Sequence, residues 1–183
     1  HEWIQEAQDG KVALPHAMNI ASLDSVGRPT SRMVLLKRIS EEGFVFFTDY
    51  EGNKGKQISA FPHVALTFWW AKTNKQIRIE GKCQMVSDQE NDEYFYSRPR
   101  GSQISASVSL QSKELESYAK LVQESELFEN DHVNQDIARP KRWGGFLVEP
   151  ESIEFWIDQK NRLHKRELYT KETSGWKKTL LSP

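Results

Sequence analysis

Three stretches of the chain carry side chains whose types and spacing suit the binding of an anion and chemistry beside it. The first is Arg32-Met33-Val34-Leu35-Leu36-Lys37, an apolar run of strand formers with a permanent cation at one end and a titratable one at the other. It reads as a buried strand. Side chains alternate along a strand, so Arg32 and Lys37 leave on opposite faces, roughly 17 Å apart along the backbone. One strand could then serve two anions, although both cations equally suit solvated strand ends.

The second stretch is Tyr94 to Ser102. Ser87 and Glu90 form a capping box that opens a helix running to about Ser97, and Tyr94 and Arg98, four apart, share one of its faces. Pro99 stops that helix and Gly101-Ser102 starts the next, with Ser102 as N-cap. A phenol, a guanidinium, a hydroxyl and fresh backbone donors around one point make a phosphate clamp. The same residues would also build an ordinary helix-turn-helix with a capping serine and a surface arginine.

The third is Arg162-Leu163-His164-Lys165-Arg166, in which Arg162, His164 and Arg166 share one face of a strand. Like charges on one face repel unless something negative or electron-rich lies over them. The alternative is a solvent-facing edge strand on which cations discourage aggregation. A weaker signal is Glu51-Gly52-Asn53-Lys54-Gly55-Lys56, where Asn53 as N-cap of a short helix beside lysines suits phosphate. Its spacing is not that of a P-loop, and no G-x-G-x-x-G occurs, so neither a P-loop nor a Rossmann site is supported.

These residues must be positioned by a mainly β chain. Glu2 to Lys11 suits a short amphipathic helix ended by Gly10. Ala17 to Leu23 reads as a strand, Asp24 to Pro29 as a hairpin turn, and Phe44 to Thr48 as a third strand, so the first three strands form a meander. Val64 to Trp70 and Gln76 to Val86 are two more strands, with Trp69 and Trp70 placed either to cover a ligand or to fill a barrel end. Glu114 to Phe128 is helical and Glu129 to Lys141 a loop. Trp143 to Glu149, Ile153 to Ile157, Arg162 to Tyr169 and Trp176 to Leu181 complete the strands.

The chain has 183 residues, which suits one domain, 1–183, burying roughly 70% of its unfolded surface. Its 25 Lys and Arg against 26 Asp and Glu leave a net charge of -1, which argues against nucleic acid or an anionic membrane as a bulk electrostatic partner. Any anion site must be local. Cys83 is the only cysteine, consistent with a reducing compartment. No apolar run approaches a membrane span and no signal peptide opens the chain, so a soluble, cytoplasmic protein is expected. No metal site is assigned.

Five motifs, in order and spacing, resemble the pyridoxine (pyridoxamine) 5′-phosphate oxidase family: Arg32 to Lys37; Tyr94-Phe95-Tyr96-Ser97-Arg98-Pro99-Arg100-Gly101-Ser102-Gln103-Ile104; Gln111-Ser112; Trp143-Gly144-Gly145-Phe146; and Glu154-Phe155-Trp156 with Arg162-Leu163-His164-Lys165-Arg166. The resemblance runs from about Ala17 to Pro183. It implies an antiparallel FMN-binding split β-barrel with flanking helices (mainly β, α+β), acting as a homodimer with FMN at the interface. FMN contacts are implied for Arg32, Met33, Val34, Leu35, Leu36, Lys37, Thr48, Lys54, Gln76, Gln111, Ser112, Trp156 and Arg166. Lys37, Tyr94, Arg98 and Ser102 would hold the substrate phosphate, and Arg162 and His164 would lie over the substrate ring as the catalytic pair.

The implied reaction oxidises pyridoxamine or pyridoxine 5′-phosphate to pyridoxal 5′-phosphate, with O₂ as acceptor and hydrogen peroxide as product. Gly52-Asn53-Lys54 departs from the family's usual Ser-Arg-Lys, so one phosphate cation is replaced by an amide and weaker FMN binding is expected. Phe47 lacks the hydroxyl often found there, and the family's N-terminal arm is expected to be truncated or absent. Two other readings stand beside this one. One is a related flavin oxidase of the phenazine-biosynthesis type, and the other a non-catalytic flavin- or pyridoxal-phosphate-binding module.

Overall fold

The structure is a computed structural model describing residues 1–183. Its centre is a nine-stranded antiparallel sheet that curls until its two edges meet. The first hairpin joins β1 (Ala17–Leu23) to β2 (Pro29–Leu35), with Ala17 opposite Leu35 and Leu23 opposite Pro29. The turn forms because the Asp24 carboxylate accepts the Val26 and Arg28 backbone N–H groups at 3.0 and 2.9 Å, while Gly27 takes φ +82°. Outward from β1 the order is β5 (His63–Trp70), β6 (Lys75–Met85), β7 (Trp143–Ile157), β4 (Phe44–Asp49) and β3 (Arg38–Ile39). The far half of β7 also carries β8 (Lys165–Glu172), which pairs with β9 (Gly175–Leu181).

The two edge strands, β2 and β3, are consecutive in the chain and are joined by Leu36 and Lys37. Leu36 donates its N–H to His16 O at the β1 side, and Lys37 donates its N–H to Val45 O on β4, each at about the ideal length (2.9 and 2.8 Å). Those two peptides close the barrel. Gly43 makes the β3–β4 turn possible, since it sits at φ +148° and a Cβ there would lie 2.1 Å from Val148 O.

Several expectations are corrected. The run from Arg32 to Lys37 is not a buried strand: β2 ends at Leu35 and lies at an edge, with Met33 61% exposed, while only Leu36 is buried and Lys37 falls beyond the strand. The first three strands are not a meander, because β4 pairs with β7 and not with β2. Trp143–Glu149 and Ile153–Ile157 are one fifteen-residue strand, kinked where the β6–β7 register shifts at Glu80/Gly81. The last long helix starts later, at Tyr118, because Ser117 accepts the Lys120 N–H at 3.1 Å and caps it there.

Inside the barrel, Met18, Ile20, Phe46, Leu66, Phe68, Trp70, Ile79, Phe146 and Val148 form the main core. Trp70 fills the barrel end and donates its indole N–H to Pro15 O at 2.9 Å, whereas its neighbour Trp69 points outward and is 51% exposed. The adjacent tryptophans thus divide the two alternatives. Helix α1 (Glu2–Asp9) ends at Gly10 as expected and buries Ile4 and Ala7. Helices α2 (Asn53–Ala60), α3 (Asp88–Ser97), α4 (Arg100–Val108) and α5 (Tyr118–Asp131) flank the barrel, and Phe95, Ile104, Ile137 and Trp143 form a second, smaller core beneath α3 and α4. No helix is long and apolar enough to cross a membrane.

Candidate functional site

The site residues fall into three groups, and the first is built around the start of α2. Antiparallel pairing sets Arg32 opposite Ile20 on the barrel's inner side, and its guanidinium donates to Ser22 Oγ (2.7 Å), Thr30 Oγ1 (2.7 Å) and Gln57 Oε1 (2.6 Å). Lys54 donates to Thr48 Oγ1 at 3.0 Å and to Gln111 Oε1, and Ser112 Oγ accepts the Asn53 N–H at 3.2 Å. Five expected residues, Arg32, Thr48, Lys54, Gln111 and Ser112, are therefore brought together by four separate segments. Gly52, not Asn53, is the N-cap, and it has no side chain to satisfy the helix's free N–H groups.

Neither cation in this cradle is paired with a carboxylate. Burial lowers the pKa of Arg32, and burial followed by the nearby Arg32 charge lowers that of Lys54, with Asp49 opposing. Two partly desolvated positive charges beside a helix start whose own N-cap residue has no side chain favour a dianion such as a phosphate monoester. The tight approach is enforced at Gly55, where a Cβ would meet Tyr50 O at 2.3 Å. Ser112 itself holds φ +68°, an uncommon conformation for a serine.

The second group sits on the α3–α4 corner. Half of the capping box is present: Ser87 Oγ accepts the Glu90 N–H at 3.2 Å, while the Glu90 carboxylate instead accepts Nε and Nη2 of Arg38 at 3.2 and 2.7 Å. Tyr94 stacks on Phe47 with ring centroids 4.0 Å apart, and Arg98 lies over Trp143 with Cζ 4.4 Å from the ring centroid. Arg98 Nη1 is buried and has no hydrogen-bond partner, and burial lowers the pKa of the group, with Tyr94 opposing. A buried guanidinium N–H left open costs free energy unless an acceptor arrives. Ser102 is the third residue of α4 and not its N-cap, which is Pro99. Lys37 and Tyr94 line one groove of about 640 Å³, and Lys37 also borders a neighbouring groove of about 720 Å³ beside α1.

The third group lies at the far end of β7. Gln76, Trp156 and Arg166 are in cross-strand register on the outer face of the sheet, and His164 packs 4.5 Å from Trp156. Arg162, His164 and Arg166 do not share a strand face, because β8 begins only at Lys165. Asn161 and Arg162 instead take φ +57° and +60°, which turns the chain sharply. His164 Nδ1 lies 3.0 Å from Asp158 Oδ1. Met33 and Leu35 share the sheet's outer face but lie out on β2, while Val34 packs inward on the core.

Glu154 stands in one of the five motifs, but the sequence assigns it no role. It is buried and accepts Nε and Nη2 of Arg166 at 2.7 and 3.1 Å and Nη1 of Arg78 at 3.3 Å, and the first of these contacts raises the Arg166 pKa. Its only sequence signal is a lone carboxylate two residues before Trp156 on a strand with arginines nearby. Glu154→Gln leaves the Arg166 guanidinium with no carboxylate, while Arg78 keeps Glu80 at 3.2 Å, so a loss of about 2 kcal/mol is expected in urea denaturation, with the circular dichroism of the native state unchanged.

Along β7, thirteen residues separate Trp143, on which Arg98 rests, from Trp156, on which His164 rests. That is about 40 Å of strand. Within one chain, the Tyr94–Arg98 corner and the Arg162–His164 turn therefore sit by opposite ends of β7.

The curled, edge-closed antiparallel sheet with flanking helices is that of the split β-barrel proteins. Residues 4–130 match the family described as pyridoxamine 5′-phosphate oxidase, and residues 143–183 match the pyridoxine 5′-phosphate oxidase C-terminal dimerisation region. The chain belongs to the pyridoxamine 5′-phosphate oxidase family. It is 46% identical over 182 residues to a pyridoxine/pyridoxamine 5′-phosphate oxidase of Haemophilus influenzae, covering 100% of this chain and 86% of that protein. A protein of the same description from Nostoc sp. is 44% identical over 183 residues, with the same coverage. Among solved structures, PhzG from Burkholderia lata 383, in complex with tetrahydrophenazine-1-carboxylic acid, aligns with a TM-score of 0.94 and 29% identity over 100% of this chain and 89% of that one. A pyridoxamine 5′-phosphate oxidase-related, FMN-binding protein from Nostoc punctiforme aligns with a TM-score of 0.79 and 15% identity over 98% and 95% of the two chains.

Proposed function

We propose that this protein oxidises pyridoxamine or pyridoxine 5′-phosphate to pyridoxal 5′-phosphate as an FMN-dependent homodimer, passing the electrons to O₂ and releasing hydrogen peroxide, with ammonia also leaving from the amine. The observation that supports the reading is that one barrel holds two separate sets of partly buried cations with no carboxylate partner. The Arg32–Lys54 cradle fits the phosphate of a flavin nucleotide. The open Arg98 N–H beside Tyr94 fits the phosphate of a second molecule.

FMN, when bound, supplies the two-electron acceptor. The protein's own contribution is position and charge. Tyr94, Arg98, Ser102 and Lys37 anchor the substrate phosphate, and this fixes the distance of the reacting carbon from the flavin. Arg162 and His164 orient the substrate ring and its reacting arm. Gln76, Trp156 and Arg166 line the flavin, with Arg166 held by Glu154. Because the phosphate clamp and the Arg162–His164 turn lie at opposite ends of β7, they act on one substrate only when two chains combine. This supports a homodimer in which each active site draws on both copies, in keeping with the dimerisation region matched by residues 143–183.

The phenazine-type reading is favoured by the fit to PhzG, whose ligand carries a carboxylate. Oxygen uptake by FMN-reconstituted protein separates the two. Pyridoxamine 5′-phosphate is expected to turn over with kcat/KM at least about 100-fold above that of unphosphorylated pyridoxamine, the value of a charge-assisted bidentate contact. Equal rates with the two amines would defeat the proposal.

A further inference from the structure

We infer that Arg142 is a positioning residue that ties the two anion sites together, so that flavin and substrate phosphates are held by one shared brace. The inference rests on the function proposed above but concerns a residue in neither site. Arg142 directly precedes β7, and its guanidinium faces two ways. Nε lies 3.0 Å from Asp49 Oδ2, with both side chains largely buried, a close ion pair in which the Nε–H is not aligned into a hydrogen bond. Nη2 donates to Ala106 O, Ser107 O and Ser109 O at 2.9, 3.0 and 3.0 Å. The backbone joins in, since Arg142 O accepts the Tyr50 N–H at 2.6 Å.

Each of these contacts leads to a site. On one side, Asp49 Oδ1 accepts the Glu51 N–H at 2.8 Å and Asp49 O accepts the Gly52 N–H at 3.3 Å, which fixes the turn that presents α2 and Lys54. On the other side, the three carbonyls are those of the end of α4, the helix that carries Ser102 and begins just after Arg98. A cation there completes orphan acceptors and opposes the negative end of the helix dipole. The same carbonyls lead into Leu110-Gln111-Ser112, and Gln111 and Ser112 meet Lys54 and Asn53. One planar fork thus sets the position of α4, of the Gln111–Ser112 loop and of the Asp49–Lys54 turn. A lysine, with a single point charge, cannot span them all.

The test uses the full-length protein. FMN affinity is read by quenching of flavin fluorescence on titrating apoprotein, and KM and kcat for pyridoxamine 5′-phosphate by oxygen uptake at saturating FMN. Arg142→Ala is expected to raise the FMN Kd and the substrate KM together, each by about 10-fold or more, while kcat falls by less than about threefold. Asp49→Asn cuts only the α2 side and should raise the FMN Kd with little change in KM. Arg142→Lys retains the charge opposite Asp49, so it should recover FMN affinity more than KM. If Arg142→Ala lowers the unfolding midpoint but leaves both constants in the wild-type range, or moves only one of them, the brace is refuted. Should Arg142→Ala fail to fold, the opposite splits expected of D49N and R142K decide instead, and their absence is equally fatal. Failure of the functional reading is separate: it would appear as wild-type protein that binds no FMN or consumes no oxygen with this amine.

Discussion

Arg98→Ala is expected to raise KM for pyridoxamine 5′-phosphate by roughly 30-fold to 1000-fold, the equivalent of about 2 to 4 kcal/mol, and to leave FMN content unchanged. The magnitude follows from the state of the guanidinium. It lies over Trp143, has a buried Nη1 with no acceptor, and has lost part of its hydration to burial, which lowers its pKa. A phosphate that reaches it replaces a cost with a charge-assisted bond, so deletion removes more than an exposed arginine would. The arginine has no carboxylate partner to strand, and the fold should tolerate the change. Substrate titration of the reconstituted variant, with flavin absorbance recorded in parallel, checks both halves. Loss of flavin at unchanged KM would reverse the assignment of the two anion sites.

Arg32→Ala should produce the complementary defect, an FMN affinity lower by about 100-fold with KM unchanged once flavin saturates. Here the deletion also disturbs the resting protein. Gln57 Oε1 accepts from Ser22 Oγ (2.9 Å), Thr30 Oγ1 (2.9 Å) and Arg32 at once, and Arg32 is the only cation among them. Arg32→Lys keeps the charge but cannot reach three acceptors as a fork, so its affinity should fall between the two. Equilibrium titration with FMN and with riboflavin sharpens the test: the wild-type protein should prefer FMN strongly, and Arg32→Ala should lose most of that preference. A variant that discriminates as well as the wild type would remove Arg32 from phosphate recognition.

The parts of this molecule legible in the sequence are those decided by a few neighbouring residues. The Ser87 N-cap, the Asp24–Pro29 turn and the Gly10 stop each satisfy backbone groups within one turn of themselves, and each is found in place. Strand partnership is different, because β4 finds its partner about a hundred residues later, and nothing in Phe44–Asp49 names it. Pro150 misleads for a related reason. A proline normally interrupts a central strand, but this one lies where the outer neighbour of β7 changes, after Val148 pairs with Phe44 and before Ser152 pairs with Thr170, so no ladder asks for its N–H. Around the candidate site, the helix ending at Ser97 was readable from its cap and from Pro99, whereas Arg98 itself is the C-cap with extended backbone and lies outside the i, i+4 pattern. The Arg162–His164 arrangement was not readable, since two consecutive left-handed residues broke the assumed alternation. The Glu154–Arg166 and Asp49–Arg142 pairs needed the fold itself.

The closing of the barrel by Leu36 and Lys37 also sets a schedule for the ribosome. Strands β1, β2, β5 and β6 can pair as soon as they emerge, whereas β3 and β4 reach that sheet only through β7. At about 5 to 20 residues per second, the stretch from Asp49 to Trp143 takes roughly 5 to 20 s to synthesise. Throughout that interval β4, with the apolar Phe44-Val45-Phe46-Phe47 run, has no strand to cover it but the two residues of β3. A nascent chain of this design carries an unpaired, aggregation-prone edge from Asp49 until Trp143 emerges, and completes its barrel only with β7.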